Sequence, residues 1–140
     1  MSERDNMKHA RQVIDAWNSH DVERFVKLLD EKPVIESDTL AQTVTGRDAA
    51  RQFYLGYVTA FPDLHFEIDQ MLATGEYVVT RWTAKGTHRG DLMGLPPTSR
   101  SVVTHGCNVA EYRNGKAVHD HIYWDSGSLL RQLGVLPALK

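Results

Sequence analysis

Residues 101–124 read SVVTHGCNVAEYR-NG-KAVHDHIYW, and this stretch decides the fold. Val, Thr, Tyr, Ile and Trp crowd both sides of Asn114-Gly115. That pair readily takes the positive φ angles a two-residue hairpin turn demands. The spacing therefore predicts one strand over 101–113 and another over 116–124. With a two-residue turn Arg113 faces Lys116, and stepping outward pairs Val109 with Asp120 and His105 with Trp124. One face then carries Val103, His105, Cys107 and Val109 beside Val118, Asp120, Ile122 and Trp124. The other carries Thr104, Gly106, Asn108 and Ala110 beside Ala117, His119, His121 and Tyr123. The first face is the more apolar and is expected to look inward.

Working outward, Tyr77 to Thr87 reads as another strand, and Leu64, Phe66, Ile68 and Leu72 alternate with polar residues as a half-buried one. Thr74-Gly75 turns the chain between them, and a Gly- and Pro-rich loop runs from Gly86 to Arg100. Before Pro62 the period becomes helical. Met7, Ala10, Val13, Ile14 and Trp17 form one stripe, and Phe53, Tyr54, Tyr57, Val58 and Phe61 form another. Thr45-Gly46-Arg47-Asp48 resembles a capping box for the latter helix. Asp21 is placed to cap a helix carrying Val22 to Leu29 and stopping before Pro33, with Val34-Ile35 as a short strand. Asp125 is placed to cap a closing helix over 127–133. Helices first, strands second, is the pattern of an α+β fold. The expectation is a single domain over 1–140, a cone-shaped half-barrel of curved antiparallel sheet packed on N-terminal helices. Its open mouth would be a ligand pocket.

Composition narrows the function. The 140 residues are 41% hydrophobic and 24% charged with a formal charge of -2. There is no basic excess to meet nucleic-acid phosphates, and no apolar run long enough to span a membrane. The opening MSERDNMKHA has no apolar leader, so a cytoplasmic location is expected. Cys107 is the only cysteine, which excludes an intrachain disulfide and a multi-cysteine zinc site. His119 and His121 share a face, but spacing implies no third ligand, so no metal is expected. No GxSxG and no phosphate-binding glycine loop occur.

Asp120 and His105 are the titratable groups on the apolar hairpin face. Burying an ionised carboxylate is costly unless it is paired or its pKa moves, which makes Asp120 a candidate acid or base. The competing use is an ion pair with a buried arginine such as Arg81, and a three-residue loop would turn Asp120 outward. His105 stands four residues along the ladder, about 13 Å away in a flat sheet, so the two would act at different points of a sizeable ligand. Trp17, Phe53, Tyr54, Trp82 and Trp124 are candidate pocket-lining aromatics, core packing being the ordinary use of such side chains.

Further segments carry a resemblance. Gly86-Thr87-His88-Arg89-Gly90, Gly94-Leu95-Pro96-Pro97-Thr98, Tyr123-Trp124-Asp125 and Leu129-Leu130-Arg131-Gln132-Leu133-Gly134 resemble the SnoaL-like polyketide cyclase or ester cyclase family. Phe61-Pro62-Asp63-Leu64 and Gly75-Glu76 fit as well. The resemblance implies a nuclear transport factor 2-like fold. It further implies intramolecular aldol ring closure of an aromatic polyketide ester without a cofactor. The partner would be a hydrophobic polycyclic substrate, bound by a homodimer or homotetramer. In His119-Asp120-His121-Ile122-Tyr123-Trp124-Asp125, Asp120 matches the family's catalytic acid/base, and His105 looks like the companion histidine. Ser99 departs from the pattern, where relatives often have Gly. The fold equally suits another cofactor-free hydrolase, dehydratase or isomerase, or a noncatalytic binding module.

Overall fold

The computed structural model describes residues 2–137. The chain begins with α1 (Glu3–Ser19), capped by Ser2, whose Oγ accepts the Asp5 N–H while the Asp5 carboxylate accepts the Ser2 N–H. A left-handed His20 ends α1, and Asp21 caps α2 (Val22–Val26) by accepting from the N–H groups of Glu23 and Arg24. The chain then turns to strand earlier than the pattern of apolar residues suggests. Leu29 belongs to β1 (Leu29–Glu36), not to a helix. β1 tolerates Pro33 because its pairing is irregular between Leu29 and Val34, where a missing N–H costs no ladder bond.

After the short β2 (Val44–Thr45) comes α3 (Arg47–Ala60). The expected capping box is not formed. Gly46, at φ 90°, is the N-cap and supplies no side-chain bond. β3 (His65–Thr74), β4 (Tyr77–Thr87), β5 (Ser101–Arg113) and β6 (Lys116–Trp124) follow, and α4 (Ser126–Gln132) closes the fold. Asn114 and Gly115 both have positive φ, 51° and 75°, as the tight hairpin requires. Asp125 caps α4 by accepting the Ser128 N–H at 3.0 Å.

The strands form one curved, unclosed six-stranded sheet in the order β2-β1-β6-β5-β4-β3. β3 to β6 are an antiparallel meander, and β1 joins the far side of β6 in parallel. The helices pack on one face of this sheet. Ala10, Ala16, Ala50 and Tyr54 are buried there against Val78, Tyr112 and Ala117. A second cluster around Phe61, Leu64, Trp82 and Leu129 fills the other end. Asn18 ties helix to sheet by bracketing Phe66, accepting its N–H at 2.7 Å and donating to its carbonyl at 3.0 Å. That pair of hydrogen bonds holds neighbouring Trp17 over the concave face. No helix among the described residues is long and apolar enough to cross a membrane.

One local irregularity sets the faces. Arg113 pairs with Lys116 and Tyr112 with Ala117, but Glu111 then pairs with His119, leaving Val118 as a bulged extra residue. Beyond the bulge, Ala110 faces Asp120, Asn108 faces Ile122 and Gly106 faces Trp124. The inner face of β5 is therefore Val102, Thr104, Gly106, Asn108, Ala110 and Tyr112, the set expected to be outside. Asp120, Ile122 and Trp124 are inside as expected, whereas His105 is on the outer face.

Candidate active site

A cavity of about 110 Å³ lies between the helices and the concave sheet. Its wall is almost wholly apolar, with Trp17, Phe53, Phe66, Trp82, Ile122 and Trp124 among its residues, and Asp120 the acid in it. Four of the five expected aromatics thus reach the cavity. Tyr54 does not: it is fully buried behind Trp17, rings 4.4 Å apart, and its hydroxyl donates to the Ala16 carbonyl at 2.8 Å. It is a core residue that supports the wall without lining it.

Asp120 keeps part of its surface on the cavity, but its Oδ1 is shut off from solvent and has no hydrogen-bond partner. Its Oδ2 accepts from Asn108 Nδ2 at 2.8 Å. Asn108 Oδ1 in turn accepts from Trp82 Nε1 at 2.6 Å. The indole fixes which end of the amide is oxygen, so the amide must present its N–H to the carboxylate. Burial pushes the Asp120 carboxyl up to about 7, against the opposing Asn108 bond and the nearby His119. Arg81 is not its partner. That side chain is exposed, donating to Gln70 at 3.3 Å. The site is a lone carboxyl held on one oxygen and unpartnered on the other, in an otherwise largely apolar wall.

His105 is a correction. It is exposed, and its Nδ1 sits 3.0 Å from Thr83 Oγ1. The Thr83 hydroxyl donates to Asp69 Oδ2 at 2.7 Å. The ring belongs to this small polar cluster on the outer face, across the sheet from Asp120. The hairpin bulge is the reason, since it breaks the parity that linked the two residues.

Three polar contributors were missed by sequence reasoning. Asn108 was placed outside by the unbulged register. The inner set of β4, Val78, Thr80, Trp82, Ala84 and Gly86, locates it through β5 pairing, since Asn108 is opposite Thr80. Tyr57 also lines the cavity, with Thr39 beside it, and burial raises its hydroxyl pKa while the neighbouring Thr39 opposes the rise. Tyr57 was visible in the helical stripe with Phe53, but nothing in the sequence showed Thr39 approaching it.

The model of the SnoaL-like polyketide cyclase family matches residues 7–133. The chain belongs to this family. Among solved structures, this SnoaL-like chain is similar to AclR, a candidate hydroxylase from Streptomyces galilaeus. The two share 28% identity over 99% of this chain and 87% of that one, with a TM-score of 0.87. IdmH, a candidate polyketide cyclase from Streptomyces antibioticus, is also 28% identical over 93% of this chain and 99% of that one, with a TM-score of 0.79. A Catenulispora acidiphila protein with a ketosteroid isomerase-like fold shares the architecture, at 16% identity and a TM-score of 0.80 over 91% of this chain and 93% of that one. No curated protein matches the chain.

Proposed function

We propose that this SnoaL-like protein closes a ring of an aromatic polyketide ester by an intramolecular aldol reaction, with Asp120 as the base. The supporting observation is the Asp120 carboxyl itself, unpartnered at Oδ1 and set in an apolar cavity where burial pushes its pKa up to about 7. A carbon between an ester and a quinonoid ring system is already acidic, because its carbanion is delocalised over both. A positioned carboxylate is sufficient to remove that proton, and exclusion of water strengthens its interactions. The carbanion attacks a ketone within the same molecule, and the new alkoxide takes a proton. Asp120, now protonated, can return the one it removed.

With His105 on the outer face, the hydroxyl of Tyr57 takes the place of hydrogen-bond donor to the acceptor carbonyl. Burial keeps it protonated through the working range, as a donor must be. The aromatic wall suits a flat polycyclic substrate, which would stack on rings such as Trp17 and Trp124.

A cyclisation assay with a tricyclic anthraquinone methyl ester tests this reading. The product has the mass of the substrate. Asp120→Asn should lower turnover by at least about 10², and Tyr57→Phe by about tenfold. Turnover of Asp120→Asn close to wild type rejects Asp120 as the base. A product that has gained an oxygen atom would instead align the chain with the hydroxylation named for AclR.

A further inference from the structure

On the opposite side of β6 from the cavity, three donors converge. Glu36 ends β1, and the parallel register sets it beside His121, with His119 two residues back on the same face. The two imidazoles are stacked, centroids 4.4 Å apart and planes 11° from parallel. Both Nε2 atoms lie close to one carboxylate oxygen, Glu36 Oε2, at a hydrogen-bonded 2.6 Å for His119 and at 2.7 Å for His121. All three donor atoms lie within 4.8 Å of one another. We propose that Glu36, His119 and His121 bind a divalent transition metal, Zn²⁺ foremost, on the outer face of the sheet.

The donor chemistry selects the ion. Two imidazole nitrogens and one carboxylate suit Zn²⁺, Co²⁺, Ni²⁺ or Cu²⁺, whereas Mg²⁺ and Ca²⁺ favour all-oxygen shells. Zn²⁺ sits about 2.0–2.2 Å from such donors, which places the donors of a tetrahedral site roughly 3.3 Å from each other. The carboxylate need only withdraw by a fraction of an ångström, and Glu36 is a part-exposed side chain free to do so. The imidazoles are carried by adjacent turns of one strand's pleat, so little conformational entropy is lost on binding. Three protein donors leave a fourth position for water.

The ion would clamp β1 to β6 at the parallel pair, where the ladder has already been interrupted between Leu29 and Val34. Asp120 lies between the two histidines in sequence but points into the cavity. The metal is therefore separated from the proton-transfer site by the thickness of the strand, and binding should not require an active enzyme.

Isothermal titration of the untagged, chelator-treated chain with ZnCl₂, and absorption spectroscopy with CoCl₂, test the proposal. One ion per chain is expected, with a Kd of about 10 µM or tighter and a rise in Tm on saturation. Co²⁺ should give visible bands of a four- or five-coordinate nitrogen–oxygen site. Glu36→Gln should weaken binding at least about tenfold, and His119→Gln combined with His121→Gln should abolish it. Asp120→Asn should bind as tightly as wild type, which separates this site from the proposed activity. No saturable binding up to about 1 mM, or equal binding by the double histidine variant with its circular dichroism unchanged, overturns the proposal.

Discussion

The indole of Trp82 occupies the space that a side chain at Gly106 would fill. A Cβ built on Gly106 would stand 2.3 Å from Trp82 Cζ2 and 2.4 Å from Cη2. The two residues are direct cross-strand partners on the inner face. Only because position 106 is bare can the indole lie flat across β5 and deliver its N–H to Asn108, and through it orient Asp120.

Gly106→Ala should therefore act at a distance. The indole must lift off β5, breaking its bond to Asn108, with an overpacking cost of about 1–3 kcal/mol. Urea denaturation should register that loss, and tryptophan fluorescence should shift as the ring moves. Cyclisation should fall by about tenfold or more, because the amide is free to flip. Unchanged stability and fluorescence would mean the wall yields without cost.

Asp120 links activity to stability with opposite signs. Burial pushes its folded pKa up to about 7, above the 3.8 of a free aspartate. The folded chain therefore holds a proton that the unfolded chain gives up between those values, and this group's contribution to stability falls as pH rises from about 4 to about 7. Asp120→Asn has no such proton to lose. At pH 8 the variant should be more stable than wild type by on the order of 2–4 kcal/mol, and the difference should vanish near pH 4. For turnover the ionised form is required, so wild-type kcat/KM should rise with pH and level off above an apparent pKa near 7. Parallel denaturation and rate profiles check both.

Asn108 is a positioning residue. Its amide donates to the ionised carboxylate and lowers the Asp120 pKa against burial. Asn108→Ala should move the rising limb of the rate profile to higher pH, with much of the lost turnover recovered at alkaline pH. A merely structural residue would lower the whole profile without displacing it.

His105→Ala should change turnover by less than about twofold, since the ring sits on the outer face with Thr83 and Asp69. A loss of about 10² would require the histidine to reach the substrate, contrary to its exposed placement.

The strands were legible because alternation is a strong local signal. Tyr77–Thr87, Ser101–Arg113 and Lys116–Trp124 are the strands that the residue pattern marks out. Asp120 was legible as inward because Ile122 and Trp124 share its face within one strand. His105 was misplaced because its face was inferred across the hairpin, and no residue type announces that Val118 is left unpaired. Leu29 departs from the helical pattern for another reason. Apolar residues at helical spacing continue past Val26, yet pairing with β6 outweighs that local preference. Tyr54 shows the limit for single side chains. Its place in the stripe marks it as buried, but whether it meets an empty space or another ring depends on Trp17 and Phe25, elements away in the chain.

Val118 also makes β6 a strand whose two sides are assigned by a count of one. Excising that residue would let the ladder run unbroken from the turn and leave every side chain beyond it on its present side. Drawing Val118 into the ladder opposite Glu111 would do the reverse, because each later residue would then slip by one partner. The imidazoles of His119 and His121 would enter the hollow, while the acid moved out to water. Which side of the wall holds the acid thus depends on a single residue staying out of the ladder.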